Sequence, residues 1–222
     1  MNRSPYFAAS PVPFSLLLAG ALSLFACGCG SNPVPANTVG SSGETGLSFS
    51  GKVQAGAQPV SGASVQLYAA SDSGYGAAGS SLLPSALITD STGSFTVSAS
   101  YPCASSSTQL YLIAKGGNPG LSGSANNSAL WLMTAMGSCG SIVSGDAVVV
   151  NEVTTVASVA ALAAFYSSGG NVGASSSNAA GLANAFGAAS QLANMATGTS
   201  PGASRPPDSA FLPPRSTPWR TS

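Results

Sequence analysis

The chain has 222 residues, of which only twelve carry a charge, six Lys or Arg against six Asp or Glu, and it contains no histidine. A net charge of zero offers no basic patch for nucleic acid, and the lack of His removes the commonest general base and metal ligand. A hydrophobic content of 44% and 27 glycines indicate a folded domain built from small side chains. We therefore expect no nucleic-acid partner, no cofactor and no metal.

The first 26 residues have the pattern of a signal peptide. Arg3 is followed by an apolar run at residues 14–26 that carries no charge. A membrane-spanning helix takes about 20 apolar residues, whereas a run of this length is typical of the apolar region of a signal peptide. The pattern predicts that residues 1–26 are removed and that the chain is exported.

The end of this segment resembles a bacterial lipobox, in which a cysteine receives lipid. Leu24 and Ala26 precede Cys27 at the positions where the lipobox carries an apolar and a small residue, although Phe25 between them is bulkier than usual. Cys29 fits less well than Cys27. We expect a protein held at the membrane of the bacterial cell envelope by a lipid on Cys27. The alternative is ordinary cleavage, which would secrete a protein that keeps both cysteines.

Residues 27–46 are rich in Gly, Ser, Pro and Asn, a composition typical of a flexible tether. The two remaining cysteines, Cys103 and Cys139, lie in the predicted folded part, with neither a CxxC spacing nor a His nearby. This pattern argues against a zinc or redox site. In an oxidising compartment such a pair most simply forms a disulfide, which stabilises a fold by about 2–4 kcal/mol.

Residues 47–150 are predicted to form a β-sandwich domain. Short apolar segments separated by Gly, Pro, Asp and Ser turns predict strands near residues 49–53, 65–69, 85–89, 95–101 and 109–114. The apolar segment at 129–136 fits either a buried strand or a short helix, and we favour the strand. The segment 109–114 is apolar in both of its alternating sets, so this strand should be buried on both faces. Asp90 can cap its own turn and Gly93 can take a positive φ, which together predict a hairpin.

Residues 151–200 are predicted to form a two-helix appendage to the sandwich. Asn151 is a good N-cap for a helix at 152–167, whose Val and Ala residues lie nearly all round and predict a fully buried helix. A second helix at 178–196 should bury one face that includes Leu182 and Phe186. Both helices are rich in alanine and bury little area, so we expect them to pack on each other or on the sandwich.

The last segment, residues 201–222, differs in composition from the rest. It holds six of the fifteen prolines and three of the six basic residues, and it shows no helical or strand period. This composition predicts a disordered tail. A shifted reading frame is an alternative explanation for so abrupt a change.

Two glycine patterns and the scattered acids point to no catalytic site. Residues 74–79 match GxGxxG, but they lie between two predicted strands rather than in a βαβ unit. Residues 46–52 have Walker A spacing, yet Val53 stands where the Mg²⁺-binding hydroxyl belongs. Without His, no Ser-His-Asp or Cys-His arrangement is available. The acids of residues 27–200 are spread along the chain at Glu44, Asp72, Asp90, Asp146 and Glu152.

Two aromatic residues are candidate ligand contacts. Tyr75 lies in a Gly-rich loop, where an exposed ring could stack on a sugar. Trp131 lies in an apolar run, where a place in the core is the simpler interpretation. Neither residue identifies a ligand by itself.

Two short patterns carry a family resemblance. Residues 58–67 read QPVSGASVQL and residues 89–95 read TDSTGSF. Together they resemble the strand entry and the hairpin of the carboxypeptidase regulatory-like family. The resemblance covers about residues 48–115 and implies an Ig-like, prealbumin-like β-sandwich of the kind that serves as an accessory module in exported bacterial proteins. It implies no catalytic residue.

The sequence thus favours a non-catalytic envelope lipoprotein that acts as a structural or interaction module, with a lipid-anchored membrane contact and an envelope protein or a glycan as partner. A carbohydrate-binding β-sandwich is the alternative, with Tyr75 and Trp131 as contacts. The expected architecture is mainly β: a sandwich, two helices after it, and a disordered tail.

Overall fold

A computed structural model of the chain describes residues 44–98, 101–123 and 125–202. The predicted signal peptide, nearly all of the predicted tether with Cys27 and Cys29, and the predicted tail from residue 203 lie outside the described residues. The described part is mainly β.

The secondary structure consists of short strands and two α-helices. The strands are β1 (Glu44–Thr45), β2 (Phe49–Ala55), β3 (Gln58–Pro59), β4 (Ser64–Ala69), β5 (Ser80–Ser81), β6 (Leu87–Ile88), β7 (Ser94–Val97), β8 (Pro102–Cys103), β9 (Gln109–Lys115), β10 (Trp131–Ser138), β11 (Ala147–Val150), β12 (Tyr166–Ser167) and β13 (Asn171–Val172). The helices are α1 (Glu152–Ala161) and α2 (Ala179–Leu192).

Two sheets form the β-sandwich. In the first, β10, β9 and β4 run antiparallel, and β5 and β6 both pair with β4. In the second, β2 pairs in parallel with β11 and antiparallel with β3 and β7. The ribbons β1–β8 and β12–β13 stand apart from these sheets. Buried side chains from both sheets meet in one hydrophobic core, among them Phe49, Val53, Val65, Leu67, Phe95, Val97, Leu110, Leu112, Leu132, Val148 and Val150.

Strand β4 shows why the alternating pattern predicts a half-buried strand. Val65, Leu67 and Ala69 point into the core, whereas the residues between them are partly exposed. Successive side chains of a strand point to opposite faces, so one apolar set is enough to hold it on the sandwich. The predicted strand at 65–69 is confirmed.

Strand β9 is buried on both faces, as predicted, because helices cover the outer face of its sheet. Leu110, Leu112 and Ala114 point into the sandwich core. Tyr111 and Ile113 point the other way, into a second core that includes Met133, Ala135, Leu162, Phe165, Val172, Leu182, Phe186 and Ala189. The helices therefore form a third layer, packed on the first sheet.

Helix α1 differs from the prediction in length and burial. It ends at Ala161 rather than at residue 167, after which Leu162 and Phe165 turn into the second core. Val156 is 68% exposed and Val153 38% exposed, so the expectation of a helix buried all round is wrong. Only one face of the helix meets the sheet, and its Val and Ala residues on the other face lie on the surface.

Helix α2 matches its predicted face more closely. Leu182, Ala185, Phe186 and Ala189 are buried, at the spacing of one helical stripe. The helix spans residues 179–192 rather than 178–196, and Leu192 at its end is exposed.

The other strand predictions hold in part. The apolar segment at 129–136 is a strand, β10, with a bulge between Ala135 and Gly137. The strand predicted at 85–89 is only the two-residue β6, and β5 was not predicted at all. Both pair with β4 at its edge, where the chain between them leaves the sheet.

The Asp90 turn and the Asn151 cap have their predicted hydrogen bonds, but the predicted hairpin at Asp90 is wrong. The strands on either side of the turn belong to different sheets, because β6 pairs with β4 and β7 pairs with β2. The Asp90 carboxylate accepts hydrogen bonds from the Thr92 and Ser94 backbone N–H groups, at 2.7 and 2.9 Å, and Gly93 has a φ of 75°. Asn151 caps α1 by accepting from the Thr154 N–H at 2.9 Å, while the Thr154 hydroxyl accepts from the Asn151 N–H. Such a reciprocal pair is a capping box.

The predicted disulfide between Cys103 and Cys139 is present, with a Cα–Cα distance of 6.5 Å. It joins β8 to the 3-10 turn Cys139–Ser141, which follows β10. Both cysteines are buried in the sandwich core.

Among the described residues, neither helix is long and apolar enough to cross a bilayer.

Candidate functional site

The surface around Tyr75 is built from two distant parts of the chain. After β4, an antiparallel bridge joins Ser73 to Ser175 and a parallel bridge joins Ser71 to Gly173. The Ala174 N–H also donates a hydrogen bond to the Ser71 carbonyl at 3.0 Å. These bonds fix the connection after β4 against the segment that leads into α2.

Tyr75 is held in a defined orientation although its side chain is 62% exposed. Its ring stacks on Phe165, with a centroid distance of 5.8 Å and an interplanar angle of 22°. Its hydroxyl oxygen accepts a hydrogen bond from the Asn178 side-chain amide at 2.8 Å. The Ser167 hydroxyl also donates to the Gly76 carbonyl at 2.7 Å, which fixes the loop itself. An exposed aromatic ring with so many restraints is suited to stacking on a flat apolar face of a ligand.

Next to this loop lies a cleft of about 680 Å³, which we call the serine cleft. Its lining comes from four stretches of the chain, within residues 69–73, 78–82, 102–109 and 174–182. Most of the polar side chains in the lining are hydroxyls, including those of Ser71, Ser80, Ser105, Thr108 and Ser176, and Ala, Leu and Pro side chains supply much of the remainder. Of the lining residues that the structure describes, Asp72 alone is charged. The volume falls within the range of about 300–1,000 Å³ that is typical of ligand pockets.

The hydroxyls of one wall already bond to each other. Ser105 and Thr108 hydroxyl oxygens lie 3.2 Å apart, and the Ser105 N–H donates to the Thr108 hydroxyl at 3.0 Å. Gln109 is nine-tenths buried at the base of this wall, and its amide nitrogen donates to the Ser107 carbonyl at 2.9 Å. Within the described residues, the Gln109 amide oxygen and the Ser176 hydroxyl form no side-chain hydrogen bond with the protein.

The structure places Trp131 differently from Tyr75. Trp131 is half-buried at the start of β10 and makes an edge contact with Tyr166, at a centroid distance of 6.3 Å. A Cβ on Gly170 would lie 3.0 Å from its ring. Trp131 does not line the serine cleft. The two predicted contact residues thus pack against neighbouring residues, Phe165 and Tyr166, but do not share one pocket.

A smaller cavity of about 300 Å³ lies at the edge of the sandwich, bounded by Leu83, Leu87 and Tyr101. Tyr101 is 2% exposed, and its hydroxyl has no hydrogen-bond partner among the described residues. Burial raises the pKa of this hydroxyl above its ordinary value of 10.0. Its ring lies directly against Gly46, where any side chain would collide with it.

Most of the acids whose side chains the structure describes have local structural partners. The Glu152 carboxylate accepts from the Gly56 N–H at 2.8 Å, and the Asp146 carboxylate accepts from the Val143 N–H at 2.8 Å. The Thr92 hydroxyl and the N–H groups beside it hold the pKa of Asp90 below its ordinary value. The Asp72 carboxylate accepts from the neighbouring Ser73 hydroxyl at 3.5 Å, and Asp72 also lines the serine cleft. In the described ranges, no group of three or more His, Cys, Asp or Glu is placed to hold a metal ion.

The nucleotide-type patterns lie in the wrong local structure for their chemistry. Residues 74–79 form the loop between β4 and β5, and no helix follows them. Residues 49–52 of the Walker-like segment form part of β2. Phosphate binding by either motif needs the N-terminus of a helix directly after the glycine-rich loop.

Residues 198–202 also carry a GxSxG spacing, centred on Ser200, which is typical of hydrolase nucleophiles. Here the pattern follows α2 rather than a strand, and the Ser200 hydroxyl donates to the Leu192 carbonyl at 2.9 Å. With no His in the chain to act as base, this serine has a structural bond and no partner for catalysis.

In comparisons with known proteins, no family model, no curated protein and no solved structure matches this chain.

Proposed function

We propose that this protein is a non-catalytic binding module of the bacterial cell envelope, held at the membrane by a lipid on Cys27. The observation that carries the proposal is that the chain has no His and that three of its carboxylates make structural hydrogen bonds to the backbone. Asp90, Asp146 and Glu152 each accept hydrogen bonds from backbone N–H groups. These three carboxylates stabilise separate turns of the backbone, and they are not grouped for general acid–base work.

Location at the envelope is supported by independent features. The apolar run at residues 14–26 and the lipobox-like sequence before Cys27 suit export and lipidation. The Cys103–Cys139 disulfide suits an oxidising compartment, since cytosolic thiols are kept reduced. Two or more acyl chains are needed for stable membrane attachment, which lipidation of an N-terminal cysteine would supply.

We further propose that the sandwich is of the carboxypeptidase regulatory-like kind. In support, the QPVSGASVQL segment, residues 58–67, covers β3 and the start of β4. The TDSTGSF segment forms the turn before β7. The first motif thus lies at a strand entry, as in that family, whereas the second forms a turn that leads from the first sheet into the second.

Fractionation of bacterial cells that express the full chain tests the anchoring. We expect the wild-type protein in the membrane fraction, Cys27→Ser in the soluble fraction, and Cys29→Ser still in the membrane fraction as the matched control. Intact-mass spectrometry should find acyl chains on Cys27. Membrane retention of Cys27→Ser, or processing that is insensitive to globomycin, would contradict the proposal.

A hydrolase panel tests the non-catalytic part of the proposal. We expect no turnover of ester, peptide, phosphate or glycoside substrates. Turnover that disappears in Asp72→Asn, the variant of the one acid in the serine cleft, would show that the module is an enzyme.

Carbohydrate binding is a second candidate function, and the serine cleft is the observation that favours it. The cleft has many hydroxyl groups in its lining, and the loop between two of its lining stretches carries an exposed, restrained tyrosine, so polar and stacking groups for a sugar lie close together.

A further inference from the structure

We infer that the serine cleft binds a neutral oligosaccharide, with Tyr75 as the stacking platform at its rim. This inference names the ligand class of the proposed binding module, and so it rests on the binding role but not on the lipid anchor.

The lining of the cleft selects the charge class of the ligand. Among the described residues, the lining contains no Lys or Arg, and Asp72 is its one charged residue. An anionic ligand would find no counter-charge there and would be repelled by the carboxylate. The many hydroxyls also disfavour a purely apolar ligand, because their hydration would be lost without replacement. A neutral, hydroxyl-rich ligand satisfies both conditions.

The lining of the cleft includes both donors and acceptors of hydrogen bonds. The Asp72 carboxylate and the Gln109 amide oxygen can accept hydrogen bonds, and the Ser176 hydroxyl can both donate and accept. Gln109 is nine-tenths buried and fixed by its bond to the Ser107 carbonyl, so its free oxygen is pre-organised. Sugar hydroxyls likewise act as donors and acceptors at once, and they match such a mixed set.

Tyr75 supplies the apolar contact that a sugar ring needs on its C–H face. Tyr75 lies in the loop between Ser73 and Ala78, which both line the cleft. Asn178, which donates to the Tyr75 hydroxyl, is two residues beyond Ser176, in the segment that is bridged to Ser73. Because Phe165 and Asn178 already hold the ring, little conformational entropy is lost when a ligand stacks on it.

Isothermal titration calorimetry of the purified full chain with cellohexaose, laminarihexaose, maltohexaose and chitohexaose tests the inference. A heparin hexasaccharide serves as the anionic probe. We expect binding of at least one neutral hexasaccharide and no binding of the heparin probe. Binding of none of the neutral probes, or of the heparin probe alone, would overturn the inference.

Variants then locate the site. Tyr75→Ala should weaken binding by about tenfold, the effect of losing one well-placed contact in a binding site. Tyr75→Phe, which keeps the ring, should lose less. Ser176→Trp should abolish binding by filling the cleft from an exposed position. Ile88→Ala, at a position as exposed as Tyr75, is the matched control and should bind like wild type.

Circular dichroism and the intact disulfide report whether each variant is folded. Unchanged affinity in folded Tyr75→Ala and Ser176→Trp would place the ligand elsewhere and overturn the inference. The anchoring test is independent, since Cys27→Ser should leave saccharide affinity unchanged and Tyr75→Ala should leave membrane attachment unchanged. Failure of the saccharide site is thus distinguishable from failure of the anchor.

Discussion

At the scale of single residues, Asp90 shows how a local pattern can be read directly from the sequence. Its carboxylate accepts from Thr92 and Ser94, and the positive φ of Gly93 completes the turn. A Cβ on Gly93 would lie 2.5 Å from the Val53 carbonyl, so glycine is required by space as well as by conformation. Every contact of this turn is made by residues close to Asp90 in sequence or by the strand that pairs with β7. The turn was therefore predictable from the sequence.

The Asp90 turn gives a pH-dependent contribution to stability. The Thr92 hydroxyl and the Ser94 and Thr92 N–H groups lower the pKa of Asp90 below its ordinary value of 3.8 in the folded state. The stabilisation is therefore complete above pH 3.8 and is lost as pH falls through the lower folded pKa. In thermal unfolding at neutral pH, the melting temperature of the wild-type protein should exceed that of Asp90→Ala. The difference between the two melting temperatures should shrink below pH 3.8. A gap that does not change with pH would contradict this account.

At the scale of elements, helix α1 closes the free edge of the first sheet with hydroxyl groups. Strand β10 pairs with β9 on one side. On its other side, the Met133 N–H donates to the Thr155 hydroxyl at 2.9 Å and the Ala135 N–H donates to the Ser158 hydroxyl at 2.8 Å. The helix thus satisfies backbone groups that a further strand would otherwise pair.

Because α1 closes this edge of the sheet, removal of one buried hydroxyl should lower the stability of the protein measurably. Ser158 is fully buried, so Ser158→Ala should leave the Ala135 N–H without a partner and lower the free energy of unfolding by about 1–3 kcal/mol. Ser190→Ala on the exposed part of α2 is the control and should stay within about 0.5 kcal/mol of wild type. Denaturant unfolding measures both. Equal stability of the two variants would show that water satisfies the β10 edge.

For helix α1, the sequence did not predict which face is buried. Its Val and Ala residues lie nearly all round, which predicted a fully buried helix, yet Val156 is mostly exposed. An alanine-rich helix carries no strong apolar stripe, so its own residues do not say which face meets the sheet. The hydroxyls of Thr154, Thr155 and Ser158 mark that face instead.

At the scale of the whole molecule, the two helices are part of the core of the fold. They cover Tyr111, Ile113 and Met133 on the outer face of the first sheet. Burial raises the pKa of the Tyr111 hydroxyl far above its ordinary value of 10.0, in keeping with its place between sheet and helices.

Removal of the helices should therefore disrupt the sandwich. A chain that ends at Val150 would expose one whole face of β9 and β10, together with the unpaired edge of β10. We expect it to bind a hydrophobic dye and to lose cooperative unfolding, whereas a chain that ends at Gly202 should unfold cooperatively. Cooperative unfolding of the shorter chain would show that the helices are a separable appendage.

The serine cleft also belongs to this scale. Its lining comes from four stretches that are far apart in sequence, and only Tyr75 beside it was singled out as a contact. Serines are common along the whole chain, so nothing in their spacing distinguishes those of the cleft from those on other surfaces. The signal that could have found them is their position at strand ends, which depends on knowing the strand order.

The sequence by itself determined the strands with alternating pattern, the Asp90 turn, the Asn151 cap and the pairing of Cys103 with Cys139. Each of these rests on periodicity, on turn and cap chemistry, or on there being one partner for each cysteine within the folded part. The tertiary structure alone decided which face of α1 is buried, how the β10 edge is satisfied, and that a hydroxyl-lined cleft forms beside Tyr75. The physical reason is that small Ala, Ser and Gly side chains allow many packings of similar energy, so distant contacts select one of them.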